Sequence, residues 1–452
     1  MVLKTTSKSF SVALFLLVIV LVMYLALFSY VSDLWLIRSL SFSQGTLQQR
    51  WKSRRIEQTQ QEMSTSATIT CDRSHTNYDL CSINGSCNLD PRTGTITLMD
   101  PTFGPSATLI EKIRPYPKKE DNWIMQRIDK LVLTSGLTRS CDITHDSPAI
   151  VFSAGGYIGS IYHDFFDCLI PLFITANKYF PDRDFILVVT NPKEWWMPKY
   201  INVLGEFSKH KTILLDKENV SITHCFTSAI VGLISHESMT VDLNQTTNSK
   251  SLVDFHNLLG KAFNTNITTI RTHNKPRLIL VSRYGAIGRV MLNEKEIKEM
   301  LEDIGFEVIT FRPSGTTSLR EAYKLIKSSH GMVGVHGAAL THLLFLRPGS
   351  VFVQVVPVGL EWVKTCYESP AKAMKLDYIE YPINVGESSL VEKYDRDDLV
   401  LKDPIAFRGM DWNVSKMKVY LKEQDVRLDV NRFRKHMNKA YEKANSFMNI
   451  NG

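Results

Sequence analysis

The chain has no C-x-x-C pair among its seven cysteines, no internal repeat and no long block of like charge. The first absence argues against a zinc site built on paired thiolates and leaves disulfides in an oxidising compartment as the better use of cysteine. The second removes solenoids and propellers. The third speaks against a nucleic-acid partner: Lys and Arg are scattered, with only short clusters such as Lys52–Arg55, although the formal net charge is +7. Such a mild basic excess suits small anionic ligands instead. At 452 residues, 44% hydrophobic and 22% charged, the chain can bury a large core, and its length favours more than one domain.

Charge is also missing, locally, from Ser9 to Ser32, where "SVALFLLVIVLVMYLALFSYV" is apolar almost throughout. About 20 apolar residues span a bilayer, more than a cleaved signal peptide needs. Lys4 and Lys8 precede the run, so a type II signal anchor is expected, with residues 1–8 cytosolic and 9–32 spanning. Residues 33–70 carry few large apolar groups after Leu40 and read as a stem. Sequons at Asn84, Asn219, Asn244, Asn266 and Asn413 agree with a lumenal body. Cys71, Cys81, Cys87 and Cys141 are the disulfide candidates, with all three pairings open. Cys168, Cys225 and Cys366 lie among apolar residues and are expected as buried thiols.

From Pro148 onward, short apolar runs alternate with helical spacing. "AIVFSAGG", "FILVVT" and "TILLD" read as strands, with helices at 161–180 and 193–208 between them. A polar break at 264–276 separates a second series: strands "RLILVSR", "FEVITF", "GMVGVHG" and "SVFVQVVP", with helices at 293–303, 318–330, "AALTHLLFL" and 361–375. Such alternation predicts βαβ units and parallel sheets. The expectation is an α/β protein of two Rossmann-like domains facing a cleft, 71–265 on the acceptor side and 266–452 binding nucleotide, the latter closed by a C-terminal helix.

The most informative stretch is "GVHGAALTH", which sets His336 between glycines where a strand gives way to a helix. Gly334, Gly337 and Ala338 leave little side chain there, so a ligand can approach the backbone at a strand's carboxyl end. Ser282 and Arg283 end the preceding strand, and Arg289, Asn293 and Glu294 follow. Two arginines and a histidine at one crevice suit a nucleotide diphosphate. A second cluster lies in "YHDFFD". His163 and Asp167, at i and i+4, share a helix face beside Asp164. A carboxylate beside an imidazole suits a general base, and which member takes the proton stays open. D-x-D triplets occur at 182–184 and 395–397, the first before its strand and the second after a polar stretch. Neither is in metal-binding context, so no required metal is expected.

Taken in order, "GGYIGSIYHDFFDCLIPLF", "LILVSRYGAIGRVMLNEKEI" and "GMVGVHGAALTHLLFLRPGSVFVQVVP" resemble glycosyltransferase family 61 over roughly residues 70–445. The likeness is greater to the plant branch that decorates xylan than to the branches acting on N-glycans or adding protein O-linked GlcNAc. The resemblance implies a GT-B fold and inversion at the anomeric carbon. The implied donor is a UDP-sugar, UDP-xylose or UDP-arabinofuranose, used without further cofactor, and the acceptor is a xylan-type cell-wall polysaccharide. It also implies a Golgi membrane setting, and complexes with other polysaccharide synthases are a further expectation. A membrane-anchored glycan-binding protein without turnover is the competing class.

Overall fold

Aliphatic and β-branched runs, broken by glycine, proline and polar turns, fold here into two sheets. The computed structural model describes residues 67–451 apart from 100–109, 137–139, 216–221, 237–238, 247–248, 264–273 and 410–413. The first sheet collects β1 (Thr68–Asp72), β2 (Leu80–Asp90), β3 (Thr95–Met99), β4 (Ile110–Ile113) and β5 (Leu131–Gly136). It continues with β6 (Ile143–Thr144), β7 (Ala149–Ser153), β8 (Ile186–Thr190), β9 (Ile213–Leu214) and β10 (His224–Val231). Its order is β4-β5-β3-β2-β10-β7-β8-β9, with β1 beside β2 and β6 beside β10. Strands β10, β7, β8 and β9 run parallel, whereas β2 is antiparallel to β1, β3 and β10.

The second sheet, β12-β11-β13-β14-β15, is parallel throughout. Its strands are β11 (Arg277–Val281), β12 (Glu307–Phe311), β13 (Gly331–Val335), β14 (Val351–Val356) and β15 (Asp377–Pro382). Every residue of β13 and β14 is buried, as expected when helices cover both faces.

Seven helices matter below. The first, α1, is one continuous run: a turn at Ile161–His163, a π segment at Asp164–Leu169 and an α-helix at Ile170–Tyr179. The others are α2 (Trp196–Leu204), α3 (Leu252–Ala262), α4 (Glu294–Ile304), α5 (Leu319–Lys327), α6 (Thr365–Ala373) and α7 (Val430–Asn451). Ser251 and Asp254 close a capping box on α3. The run expected as a helix after His336 winds instead as a 3-10 segment, Ala338–Phe345, and Pro348 bars its continuation.

Residues 67–452 form one compact unit. Phe152 of β7, Phe165 of α1 and Phe255 of α3 belong to the same buried cluster as Ile279 of β11, Tyr323 of α5 and Phe345. Phe165 meets Phe255 and Phe345 edge-on, with ring centroids 6.1 and 6.2 Å apart. The halves expected to face each other across a cleft thus share a continuous core. Helix α7 packs on α4, β14 and β15. The predicted span at 9–32 lies outside the described residues, among which no helix is long and apolar enough to cross a membrane. Strand β1 opens at Thr68, inside the segment read as stem, because it pairs with β2 and is pinned there by a disulfide.

The bridges are Cys71–Cys81 and Cys141–Cys225. Cys225, expected as a buried thiol, is therefore paired, and Cys87, expected as a candidate, is a buried free thiol with Cys168. The reason is register: Cys87 sits inside β2 opposite Leu98 and Phe226, facing no cysteine. The second bridge closes 84 residues around the parallel strands, so its loop-closure contribution is large. Replacing both Cys141 and Cys225 with Ala should lower unfolding stability by about 2–5 kcal/mol, checked by urea denaturation. Unchanged stability would mean the bridge does not form in the native chain.

Candidate active site

Each sheet has a reversal of strand order among its parallel strands. From β7 the chain moves outward through β8 and β9, then returns as β10 on the other side. From β11 it moves to β12, then crosses back to β13. Loops leaving neighbouring strands part at such points and open a crevice beyond the strands' carboxyl ends. Both clusters singled out in the sequence hang from these two reversals.

Beyond β7 the chain turns through Gly155 and Gly156 into α1. Gly156 has φ +72°, and a Cβ there would meet the Tyr116 ring at 2.5 Å, so the turn needs glycine on both counts. The Tyr116 hydroxyl donates to Asp167 Oδ2 at 2.8 Å. His163 Nδ1 lies 2.8 Å from that same oxygen, and Lys118 Nζ lies 3.3 Å from Oδ1. Asp167 is 1% exposed, against 28% for the His163 side chain. A carboxylate only accepts, so Nδ1 carries the proton and Nε2 keeps a lone pair for a substrate. Tyr157 stacks on the imidazole, 4.6 Å between centroids. Asp164 and Asp167 both lie in the π segment, a widened turn common at functional sites.

Asp164 points elsewhere. Its Oδ2 accepts from the Tyr200 hydroxyl at 2.7 Å, and Oδ1 has no hydrogen-bond partner among the described residues. Burial pushes its carboxyl up to about 6, against the opposing pull of Tyr200 and Lys199. The Tyr200 contact ties α1 to α2.

At the second reversal, Arg283 donates from Nε and Nη2 to the Gly288 carbonyl, at 3.3 and 3.1 Å. Arg289 donates from Nη1 to the His336 carbonyl at 3.3 Å and from Nε to that of Leu421 at 3.1 Å. Burial lowers Arg283, and burial together with Arg283 brings Arg289 down to about 10. Among the described residues no carboxylate lies within ion-pairing distance of either, and Asp425 acts on Arg283 only at longer range. An anion arriving beside two such crowded cations, whose hydrogen-bond partners among the described residues are carbonyls, would relieve both the repulsion and the desolvation.

His336 lies beside the arginines as a neutral group. Burial, then Arg289 and Arg283, push its imidazole down to about 3. Gln354 Nε2 lies 3.3 Å from the Val363 carbonyl and 3.2 Å from His336 Nδ1, and the Tyr378 hydroxyl donates to Gln354 Oε1 at 3.0 Å. A carbonyl can only accept, so the amide nitrogen faces it and also donates to Nδ1, which leaves the His336 proton on Nε2. Gly337 provides room: a Cβ there would collide with the Arg283 guanidinium. Gly334 has a packing role, since its Cβ would sit 2.9 Å from Val281. Ala338 opens the 3-10 segment.

The two constellations are joined by aromatic rings. Tyr162, next to His163, meets Tyr367 of α6 edge-on at 5.8 Å. Tyr367 lies 5.5 Å from the His336 ring and donates to the Gly337 carbonyl at 2.8 Å. A cavity of about 670 Å³ also opens between α2 and the loop before α5, bordered by Gly159, Trp195, Lys199 and Arg320, a volume suited to small molecules.

Other predicted residues sit as follows. Ser282 Oγ accepts from the Tyr284 N–H and Arg312 Nε, at 3.3 and 3.4 Å. Asn293 clamps Leu428, accepting from its N–H at 3.0 Å and donating to its carbonyl at 2.9 Å. Glu294 is half-buried in the first turn of α4. Asp184 pairs with His210 at 2.7 Å before β8, and Asp397 pairs with Lys402 at 3.3 Å. Asn84 lies half-buried within β2, Asn244 is exposed in a turn, and Asn219, Asn266 and Asn413 lie outside the described residues. Sequence reasoning missed Tyr116, Lys118, Gln354 and Tyr367. Only Gln354 left a signal, as an amide within the otherwise apolar run of β14.

A family model described as Glycosyltransferase 61 matches residues 161–353, from the first turn of α1 into β14. A xylan glycosyltransferase of Arabidopsis thaliana is 38% identical over 401 residues, 83% of this chain and 80% of its own. An alpha-1,3-arabinosyltransferase of Oryza sativa subsp. japonica is 34% identical, over 83% of this chain and 65% of its own. A beta-1,2-xylosyltransferase of the same organism is 32% identical over 97% of each. The matched region holds His163, Asp167, Arg283, Arg289 and His336 together, and with relatives aligned over most of both chains this protein belongs to glycosyltransferase family 61.

Proposed function

We propose that this chain is an inverting pentosyltransferase. It moves a xylosyl or arabinofuranosyl group from a UDP-sugar to a xylan-type polysaccharide, within a GT-B arrangement. The observation that carries this reading is the pairing of a carboxylate-held imidazole with a carboxylate-free arginine pair across Tyr162 and Tyr367. The names of the relatives supply the pentose and the xylan.

Arg283, Arg289 and the His336 Nε2–H hold the diphosphate. Their charge and dipoles are fixed before the reaction, so they favour the negative charge that grows on UDP as its bond to the anomeric carbon breaks. The acceptor hydroxyl gives its proton to His163 Nε2 while its oxygen bonds to the opposite face of that carbon, which inverts it. Asp167 accepts from Nδ1–H throughout and balances the imidazolium formed. The reading needs no metal, since the arginines meet the phosphate charge. The uncharged run from Ser9 to Ser32 behind Lys4 and Lys8 supports a type II anchor in the Golgi membrane with the body lumenal.

The test is a panel of UDP-sugars with xylo-oligosaccharide acceptors, read by mass spectrometry with and without chelator. A one-pentose mass gain that largely survives chelation is expected. Transfer of N-acetylglucosamine alone would move the chain to another branch of the family. No transfer from any donor would favour a glycan-binding protein, and loss restored only by manganese would show a metal requirement.

A further inference from the structure

Asp167 has a partner for which the proposed base does not account. Its Oδ2 is shared by the Tyr116 hydroxyl and His163 Nδ1, whereas Oδ1 faces the Lys118 ammonium, 3.3 Å away. The carboxylate is 1% exposed and the Lys118 side chain 22%, so solvent screens the pair only in part. The chain holds Lys118 in this place. Pro115 and Pro117 flank Tyr116 and stiffen the approach. The Lys118 N–H donates to the Tyr116 carbonyl at 3.0 Å, and the Lys118 carbonyl accepts from the Asp121 N–H at 2.9 Å. The ammonium also lies over the Phe166 ring, 4.2 Å from its centroid. Lys119 goes elsewhere, to Asp79 at 2.8 Å and the Arg73 carbonyl at 2.7 Å.

The groups around His163 are Asp167 and Asp164 on α1, Tyr157 in the turn before it, and Tyr116 and Lys118 from 114–121. Cys366 of α6 stands behind Tyr162, and Asp121 and Arg127 lie one ring further out, on Tyr157 and Trp123. A carboxylate beside an imidazole raises its basicity and, unopposed, holds an imidazolium as an ion pair. A cation on the carboxylate's other oxygen opposes that pull. We propose that Lys118 is a positioning residue that acts on His163 through Asp167. Its cation keeps the resting imidazole unprotonated and, after Nε2 has taken the acceptor's proton, favours passing that proton to water. The inference rests on His163 as the proposed base and adds what sets its readiness.

Full-length wild type, Lys118→Met, Lys118→Gln and Lys118→Arg would be compared. In the two neutral variants the acid limb of kcat/KM should move up by about one pH unit, a rate about tenfold lower on that limb. In Lys118→Arg the limb should stay near its wild-type place. A role confined to bracing the loop would lower the whole profile without moving its limb. Asp164, whose carboxyl burial raises to about 6, titrates in all four proteins and drops out of the comparison. Diethyl pyrocarbonate acylates unprotonated imidazole, so the midpoint of His163 labelling against pH, read by peptide mass spectrometry without donor or acceptor, should rise equally. A midpoint unmoved in both neutral variants, with the fold intact by circular dichroism, would overturn the inference whatever the reaction. So would an equal rise in Lys118→Arg, or a wild-type His163 that took no label. A midpoint that moved without the limb would keep the action of Lys118 and remove His163 as the base. A midpoint that moved in a protein transferring no pentose would keep it and remove the assigned reaction.

Discussion

His163→Ala is expected to cut transfer by about a hundredfold or more while leaving UDP affinity nearly unchanged. The split follows from placement. His163 sits at the reversal beyond β7, and the arginines sit at the reversal beyond β11, with Tyr162 and Tyr367 between. Asp167→Asn sharpens the test without removing volume. An amide can turn its NH₂ towards Nδ1, which moves the ring proton to Nε2 and blocks the base, a change worth about 10²–10⁴ in rate. Asp164→Asn should do far less, because an amide oxygen still accepts from Tyr200 and the group is raised towards neutrality already. Initial rates and calorimetry with UDP would be run on all three, with circular dichroism to confirm the fold. Full activity in His163→Ala would make the histidine structural. A collapse confined to Asp164→Asn would move the base to that carboxyl.

Arg283→Ala should weaken UDP binding roughly 10–150-fold, the scale of one charge-assisted contact of about 1.5–3 kcal/mol. Arg283→Lys should restore little, because a guanidinium holds the Gly288 carbonyl while presenting a planar fork to an anion and an ammonium does not. Gly337→Ala should reproduce part of the loss by displacing the same guanidinium. Calorimetry with UDP reads all three. UDP bound by Arg283→Ala as tightly as by wild type would remove the diphosphate from this crevice.

The parallel half of the fold was legible because its strands are buried on both faces. Runs such as "LILV" and "SVFVQVV" have no polar alternation and read as buried strands, so the carboxyl end of β11 and the arginines after it could be placed early, whereas the strand order could not. The first eighty or so residues of the body were not legible. Strand β2, "LCSINGSCNLD", mixes polar and small residues because it is central in an antiparallel ladder and takes its order from partners on both sides. The i, i+4 spacing gave the His163–Asp167 pair correctly, but a π segment has no pattern of its own. Tyr116 lies 51 residues before Asp167, in a stretch without periodicity, so nothing in the order of residues announced their contact. Cys225 misled for a physical reason: a disulfide sulfur and a buried thiol sit in the same apolar surroundings.

The continuous core has a bearing on how substrates come and go. Enzymes built as two lobes on a hinge admit ligand by swinging apart, at the cost of a small, wetted interface. Here Phe165, Phe255, Tyr323 and Phe345 fill the space where such a hinge would slide, and separating them would expose aromatic area at about 25 cal/mol per Å². Exposed parts carry no such cost: in the loop after β11, Tyr284 and Ile287 are exposed. Separating the halves would therefore be costly in a way that shifting a side chain or a short loop at either reversal would not.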